Sequence, residues 1–258
     1  MRFPRSILIT GASSGIGSAL AREYARPGVT LALGGRDIGR TTAIVNECRA
    51  RGANATAGIF DVTEPAASHR FVVDSDRAAS LDLVIANAGI SAISGPGGET
   101  EEQARAIFAT NVDGVMNIVF PAVAAMRTRA PRDGTRGQIA IMSSLAGFHG
   151  YPGAPAYVAS KNAVRAWGES LRGELYHEGI RISVICPGFI ETPMTAGATF
   201  PQPFKISAEK AARIIARGLA RGRSRIAFPF PTYVAAWLGI ALPERMVDPL
   251  IRRMPKKR

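Results

Sequence analysis

The chain of 258 residues is 47% hydrophobic and carries a formal net charge of +12. This length and hydrophobic content support one sizeable core, and we predict a single domain over residues 1–258. Two cysteines, Cys48 and Cys186, lie far apart without metal or redox spacing, which argues against a disulfide scaffold and for a reducing compartment. Residues 1–6 run into a strand pattern without a signal peptide, so we expect a cytoplasmic location.

The positive charge is concentrated at one end of the chain. Residues 205–258 hold 13 basic and 3 acidic side chains, and the remainder is nearly neutral. No recognised nucleic-acid-binding motif accompanies this charge, which disfavours a nucleic-acid partner. The histidines His69, His149 and His177 share no metal-ligand spacing, so no metal is predicted.

Short apolar runs alternate with helix-compatible segments along the chain. Continuous apolar runs, rather than alternation of apolar and polar residues, are typical of strands covered on both faces. The pattern predicts an α/β fold, a doubly wound parallel sheet of the Rossmann type with helices on both faces. The runs are Ile7–Ile9, Val29–Leu33, Leu83–Ala86, Ile139–Met142 and Ile182–Ile185.

A glycine-rich turn, Thr-Gly-Ala-Ser-Ser-Gly-Ile-Gly, occupies residues 10–17 between the first strand and a helix pattern at 18–24. Such a turn lets the backbone approach a pyrophosphate, and the start of the helix favours the anion. By itself the turn also fits a tight connection without a ligand. The residues assigned to cofactor binding here are Gly11, Ser13, Ser14, Gly15, Ile16 and Gly17.

The end of the second strand carries the signal for cofactor choice. An acidic residue here favours NAD, whereas an arginine accommodates the extra phosphate of NADP. Arg36 can pair bidentately with that phosphate and Gly35 leaves room for it, so NADP is predicted. Asp37 keeps NAD possible, and Arg36 could instead be a solvated loop arginine. Asp61 and Val62 are assigned to the adenine end of the cofactor.

Tyr157 and Lys161 are spaced i and i+4, which places both side chains on one face of a helix. A phenol titrates near ~10, and a neighbouring ammonium lowers its pKa by stabilising the phenolate. The tyrosine then becomes usable as a general acid and base. Taken alone, the pair also fits an amphipathic helix with one aromatic anchor.

Further motifs follow in order: Asn87-Ala88-Gly89 after the run Leu83–Ala86, then Asn111, then Ser143-Ser144 after the run Ile139–Met142, and Pro187-Gly188 after the run Ile182–Ile185. With the glycine-rich turn and the tyrosine–lysine pair, residues 6–195 resemble the short-chain dehydrogenase/reductase family. The resemblance implies an oxidoreductase that moves a hydride between NADP(H) and a carbonyl or secondary alcohol.

The resemblance also implies residue roles. Tyr157 would exchange the proton, Lys161 would lower its pKa and hold the nicotinamide ribose, and Ser144 would bind the substrate oxygen. Asn111 would hold a water for proton relay, and Ser143 is the structural alternative to Ser144. Many NADP-preferring relatives carry a basic residue where this chain has Ser14. The remaining residues implied to contact the cofactor are Asn87, Ala88, Gly89, Pro187, Gly188, Ile190 and Thr192.

Apolar residues near these motifs predict a lipophilic carbonyl substrate, although they could equally be lid packing. They are Phe148, Tyr151, Met194, Phe200 and Phe204. Residues 196–258 are expected to form the substrate lid and a basic, apolar C-terminal extension. The alternatives are a 3-ketoacyl-(acyl-carrier-protein) reductase and a non-catalytic, cofactor-sensing interaction protein. The family resemblance further implies a homo-oligomer, a dimer or tetramer, through helices at 111–129 and 157–178.

The C-terminal region offers two interpretations. Residues 226–231 and 233–242 are apolar and precede the basic residues at 252, 253 and 256–258, as in peripheral membrane attachment. Prolines at 229, 231 and 243 leave runs too short to span a bilayer. The other interpretation, which we prefer from sequence, is helices packed on the substrate pocket or a partner subunit.

Overall fold

The computed structural model describes residues 3–91, 98–132, 134–150, 152–196, 201–243, 245–247 and 249. Within these residues, seven strands form one parallel sheet in the order β3-β2-β1-β4-β5-β6-β9, and β7 pairs with β8 beside it. The strands are β1 (Ser6–Thr10), β2 (Thr30–Gly35), β3 (Asn54–Ile59), β4 (Leu83–Ala86), β5 (Gly137–Met142), β6 (Ile180–Pro187), β7 (Ile190–Glu191), β8 (Ile206–Ser207) and β9 (Arg225–Phe228).

Helices connect the strands, and polar side chains mark several of their starts. Asp37 and Ser207 each accept a backbone N–H in the first turn of the helix that follows, and Thr100 and Gln103 form a reciprocal capping box. A π-helical turn at Ala109–Asp113 joins two helices end to end. The helices are α1 (Gly15–Tyr24), α2 (Ile38–Ala50), α3 (Pro65–Ala78), α4 (Glu101–Phe108), α5 (Gly114–Arg127), α6 (Pro155–Leu175), α7 (Ala208–Ala220) and α8 (Phe230–Ala241).

Two apolar layers cover the two faces of the sheet. Successive strand residues point to opposite faces. In β1, Ile7 and Ile9 pack with α1, α2 and α7, whereas Leu8 packs with α3, α5 and α6. Both layers bury completely apolar side chains, such as Leu20 on one face and Ile118 on the other. The predicted doubly wound α/β fold is therefore confirmed.

Each of the predicted apolar runs overlaps an observed strand, but β3 and β9 were not predicted. The assignment of 196–258 to a lid and extension is corrected between 208 and 228. There, α7 buries Ala211 and Ile215 against α1, and β9 extends the central sheet beside β6. Ile226 and Phe228, expected on an apolar surface, are only 2% and 5% exposed because they belong to that strand.

The helix running through Glu101–Arg127 is long and apolar enough to cross a membrane by length and composition alone. More than half of its most apolar stretch, 56%, is buried inside the fold, as in the core helix of a globular domain. On the outer side of α5 and α6, Phe120 packs edge-on against Trp167 with ring centroids 5.6 Å apart. Association through these helices stays a prediction.

Candidate active site

The loops at the carboxyl ends of the parallel strands surround a cleft of about 370 Å³. In open parallel α/β sheets, ligands bind at this edge because the helix starts and connecting loops gather there. Every site residue predicted from sequence lines this cleft except Asn111. One end is formed by the glycine-rich turn after β1 and the end of β2. The other holds Ser144, Tyr157 and Lys161.

The glycine-rich turn is packed too tightly for side chains. Gly11 has a φ of +64°, and a Cβ there would lie 2.9 Å from Ala88 Cα. A Cβ on Gly17 would lie 2.1 Å from the Gly11 carbonyl oxygen. Within the described residues, no side chain caps the start of α1 and no acidic residue occupies its first turn. The turn therefore fits the pyrophosphate of a dinucleotide.

Asn87 fastens the loop after β4 to the loop after β1. Its Nδ2 donates hydrogen bonds to the carbonyl oxygens of Thr10 at 2.8 Å and Gly11 at 3.3 Å. Thr10 Oγ1 accepts in return from the backbone N–H groups of Asn87 and Ala88, each at 3.1 Å. This network fixes the two glycine-containing turns against one another.

Two arginines line the end of the cleft beside β2. Arg36 donates to Asp61 at 3.2 Å, and Asp61 also accepts from the backbone and hydroxyl of Thr63 at 2.9 Å. Burial alone would raise the pKa of Asp61, but the hydrogen bonds from Thr63 and Arg36 outweigh burial and lower it. Arg40 also lines this end and was not among the predicted site residues, since its only signal in the sequence is its i+4 spacing from Arg36.

Asp37, the residue that kept NAD possible, is engaged at the start of α2. One of its carboxylate oxygens accepts from Arg40 N at 2.8 Å, and the other accepts from Arg40 Nε at 2.8 Å. These two hydrogen bonds lower the pKa of Asp37. Both carboxylate oxygens of Asp37 are therefore already hydrogen-bonded to Arg40.

At the other end of the cleft, α6 presents Tyr157 and Lys161 side by side. The Ser144 hydroxyl is hydrogen-bonded to Tyr157. Lys161 is 3% exposed, and its Nζ donates to the Met142 carbonyl oxygen at 3.0 Å and lies 5.8 Å from the centre of the tyrosine ring. This places a hydroxyl, a phenol and an amine around one end of the cleft.

Burial sets the direction in which the pKa values of Lys161 and Tyr157 are shifted. Removal from water lowers the pKa of Lys161 from 10.5 to about 8, because the charged ammonium loses hydration. It raises the pKa of Tyr157, and the hydrogen bond to Ser144 opposes that rise only in part. The spacing of Tyr157 and Lys161 predicts a lowered pKa for the tyrosine. The shift is instead upward, because desolvation of the phenol dominates.

The two adjacent serines have different partners. Ser143 donates through Oγ to the Lys161 carbonyl oxygen at 2.7 Å, inside the core. Ser144 Oγ accepts a hydrogen bond from Ala146 N at 3.1 Å and donates one to the Pro187 carbonyl oxygen at 3.3 Å. It is also hydrogen-bonded to Tyr157. The geometry thus favours Ser144 over Ser143 as the hydroxyl that works with the tyrosine.

Asn111 lies behind the cleft, in the π-helical turn, with no exposed surface. Its Oδ1 accepts from Ile90 N at 2.8 Å, and its Nδ2 donates to Ile90 O at 2.9 Å and Ser160 Oγ at 3.0 Å. Both amide protons are therefore used inside the protein. The side chain clamps the loop after β4 onto α6, beside Gly89 and Lys161, where it positions the site from behind.

The sequence from residue 5 to residue 201 matches the family model for short chain dehydrogenase. This match covers most of the chain, including every motif described above. The chain belongs to the short-chain dehydrogenase family. The resemblance inferred from sequence is thereby confirmed, and the chain is an oxidoreductase of this family.

This short-chain dehydrogenase has relatives that match along most of their length. An uncharacterized oxidoreductase of Myxococcus xanthus (strain DK1622) is 35% identical over 251 residues, covering 97% of each chain. The 1-deoxy-11-beta-hydroxypentalenate dehydrogenase of Streptomyces exfoliatus is 34% identical over 232 residues, covering 85% of this chain and 81% of the relative.

Solved structures show the same fold. A short chain dehydrogenase/reductase of Burkholderia phymatum, crystallised in complex with NAD, superposes with a TM-score of 0.81 at 24% identity. The match covers 100% of this chain and 99% of that chain. At this identity the likeness shows a shared architecture and says nothing of the cofactor that this dehydrogenase prefers.

The apolar walls expected for the substrate are only partly found. Met194 lines the cleft, and Phe204 is 59% exposed on the segment after β7. For Phe148 the packing alternative holds: it is 5% exposed and packs beneath α8, and the Arg165 and Arg225 guanidiniums lie 4.7 and 5.7 Å from the centre of its ring. Tyr151 and Phe200 lie outside the described residues.

Among the described residues of this dehydrogenase, no cluster of three or more His, Cys, Asp or Glu side chains could hold a metal ion.

Proposed function

We propose that this short-chain dehydrogenase reduces lipophilic ketones, or oxidises the matching secondary alcohols, with NADP(H). The observation that carries the proposal is the hydrogen bond between Ser144 and Tyr157, one helical turn from buried Lys161, in the cleft that also holds the glycine-rich turn. When bound, the nicotinamide supplies or accepts the hydride. The glycine-rich turn and the start of α1 would hold its pyrophosphate, and Lys161 its nicotinamide ribose.

The side chains supply the proton chemistry. Ser144 and Tyr157 would both donate hydrogen bonds to a carbonyl oxygen placed between them, stabilising the negative charge that develops there. Tyr157 Oη then gives its proton to that oxygen, and the tyrosine regains a proton from solvent. The raised pKa of Tyr157 keeps the phenol protonated at neutral pH, which suits ketone reduction. A Lys161 ammonium would stabilise the phenolate left behind.

The NADP preference rests on the two arginines at the end of β2. Arg36 and Arg40 line the same end of the cleft, whereas Asp37 is occupied by Arg40. The Arg36 side chain is 64% exposed, and its ion pair with Asp61 is at the surface. Such a pair contributes at most about 1 kcal/mol, so a phosphate can displace it. A doubly charged phosphate between two guanidiniums would gain more.

The substrate class rests on the apolar end of the cleft. Met194 and Ile90 lie there with the hydroxyls of Ser144 and Tyr157, which suits a ring or chain bearing one oxygen. The Streptomyces relative, by its name, oxidises a hydroxylated pentalenate. A panel of ketones, secondary alcohols and 3-ketoacyl thioesters, followed by nicotinamide absorbance, separates this class from a 3-ketoacyl reductase. No turnover of any of them would instead favour a cofactor-sensing protein.

The test of the mechanism is Tyr157→Phe, which removes the hydroxyl and little else. We expect kcat to fall by about 10²- to 10⁴-fold, with the Kd for NADPH unchanged within about twofold, because only proton transfer is lost. Tyr176→Phe is the matched control, since Tyr176 is 73% exposed at the far end of α6. A Tyr157→Phe enzyme with kcat near the wild-type value would contradict the mechanism.

The test of the cofactor preference is Arg36→Ala. Loss of a charged hydrogen bond of about 1.5–3 kcal/mol should raise KM for NADPH by roughly 10- to 150-fold and leave KM for NADH nearly unchanged. Arg70→Ala, an exposed arginine outside the cleft, is the control. An equal rise for both cofactors would refute the preference.

A further inference from the structure

Helix α8 (Phe230–Ala241) leaves an apolar surface uncovered. It contains no charged residue, and none of its 12 described residues is buried. Phe230, Trp237 and Leu238 have 73%, 52% and 41% of their surface exposed. Single exposed apolar residues are ordinary, but a contiguous set on one apolar helix marks a binding surface.

The exposure does not come from a detached helix. Tyr233 and Ala236 pack against the buried cluster that contains Phe148, with the Tyr233 and Phe148 rings edge to face at 5.7 Å. Arg225 donates a hydrogen bond to the Tyr233 hydroxyl at 3.2 Å, and Gly239 lies against the His149 ring. One side of α8 is therefore fixed to the domain, while its other residues face outward. The preference stated from sequence was helices packed on the substrate pocket or a partner subunit, and the contacts within this chain account only for the inner side.

The apolar surface adjoins the mouth of the active-site cleft. β6 and β9 are paired so that Pro187 lies beside Phe228, and both strands end at the same edge of the sheet. The segment after β6 carries exposed Met194 and Phe204, and α8 begins two residues after Phe228. Gly188 lies against Pro229, which joins these two segments.

Positive charge follows α8 directly in the chain. Residues 243–258 include six basic and two acidic side chains, and the last eight residues include five basic and none acidic. Arg245 is exposed. Aromatic and aliphatic side chains beside a basic segment complement an anionic bilayer surface, where apolar groups enter the headgroup boundary and cations meet lipid phosphates. A helix of 12 residues is too short to span the bilayer, which takes about 20.

We propose that α8 and the basic segment after it bind the surface of an anionic lipid bilayer. A second copy of the chain fits less well, because it would bring to α8 another chain with the same excess of basic over acidic side chains in residues 243–258, and like charges repel. If the proposed reaction on lipophilic ketones is correct, the cleft mouth would open toward the membrane that dissolves such substrates. Membrane binding itself does not depend on that reaction.

Co-sedimentation of the full chain with lipid vesicles tests the proposal. We expect pelleting with equal parts phosphatidylcholine and phosphatidylglycerol at low salt, weaker pelleting at high salt, and little with phosphatidylcholine alone. The double variant Trp237→Gln/Leu238→Gln should weaken binding by roughly tenfold or more, since it removes two inserting side chains and keeps helix propensity. Tyr176→Gln is the matched control, since Tyr176 is 73% exposed and precedes the start of β6, whereas α8 follows the end of β9.

Neutralising the basic segment tests the electrostatic part. Replacing Lys256, Lys257 and Arg258 by Gln should weaken anionic binding by about a hundredfold, at about fivefold for each charge. A Trp167→Phe protein keeps Trp237 as its single tryptophan, and its emission should shift to the blue when anionic vesicles are added. Circular dichroism shows whether each variant is folded.

Two outcomes would overturn the proposal. The first is no pelleting with anionic vesicles at low salt. The second is unchanged pelleting of the folded Trp237→Gln/Leu238→Gln variant. If the first outcome comes with a smaller oligomer for that variant in light scattering, α8 is assigned instead to an interface between copies. These readouts require no turnover, so a failed reaction assay leaves them interpretable.

Discussion

Replacing Lys161 by Met should make the protein more stable at neutral pH while removing its activity. Lys161 is 3% exposed, and burial lowers its pKa from 10.5 to about 8. At about 1.4 kcal/mol per tenfold change in proton affinity, keeping this ammonium charged in the folded state costs about 3 kcal/mol. Met is of similar length, flexible and uncharged, so it can fill the same space.

The lost hydrogen bond offsets part of this gain. Lys161 Nζ donates to the Met142 carbonyl oxygen at 3.0 Å, and leaving that acceptor unpaired costs about 1 kcal/mol. The net gain expected for Lys161→Met at pH 7 is therefore about 2 kcal/mol in the free energy of unfolding. Activity should be lost because the ammonium no longer supports the phenolate of Tyr157, a trade of stability for function.

The pH dependence separates this cause from better packing. Below the folded-state pKa of about 8, Lys161 is charged in both states and the full cost is present. Between about 8 and 10.5 the folded state has lost its proton and the unfolded state has kept it, so wild-type stability rises with pH. The gap between Lys161→Met and wild type should thus shrink as the pH rises through that window.

Urea unfolding at pH 7 and pH 10, followed by circular dichroism, measures both quantities. Lys210→Met is the matched control: Lys210 is exposed on α7, and its replacement should change stability by less than about 0.5 kcal/mol. A Lys161→Met protein less stable than wild type at pH 7 would refute the argument. So would an equal gap at the two pH values.

Two further predictions concern packing and charge. Gly17→Ala should abolish cofactor binding in isothermal titration, because its Cβ would lie 2.1 Å from the Gly11 carbonyl oxygen; Gly173→Ala, with open space around it, should bind normally. Glu169→Gln should cost about 1–3 kcal/mol in urea unfolding, because Glu169 accepts from two arginines in a partly buried cluster. Glu101→Gln is the control, because the side chains of Glu101 and its partner Arg105 are both 78% exposed, and it should cost under about 0.5 kcal/mol. Equal losses of stability in the two variants would contradict the prediction.

The parts of the fold that were predictable have local causes. β4 and β5 are covered on both faces, so every residue in them is buried and each gives a continuous apolar run. The glycine-rich turn and the Tyr157–Lys161 pair are equally local, because spacing alone sets their geometry. These signals were enough to place both ends of the active-site cleft.

The two missed strands of the central sheet, β3 and β9, lie at its two edges. In β3 only Ala55 is buried, so Asn54–Ile59 shows no apolar run. β9 has four residues, and its buried Ile226 and Phe228 alternate with less buried neighbours. Edge strands are specified by the strand and helix that receive them more than by their own composition.

Long-range contacts set the surroundings of two residues singled out from sequence. Phe148, for which a pocket wall and packing were both open, is held by Arg165 and Arg225 from two other elements. Asn111 is clamped to Ile90, 21 residues earlier in the chain, and lies behind the residues that line the cleft. Neither partner set follows from sequence spacing, because each depends on how distant elements dock.

The π-helical turn at Ala109–Asp113 has a consequence for the whole helix from Glu101 to Arg127. One extra residue in a helical turn advances the direction of every later side chain by about 100°. α4 can therefore face α6 while α5, on the same axis, faces α3. Deleting one residue from the turn would restore a regular α-helix, but the side chains of either α4 or α5 would then point about 100° away from their present neighbours. The hydrogen bonds through which Asn111 joins Ile90 to Ser160 would be lost with the turn.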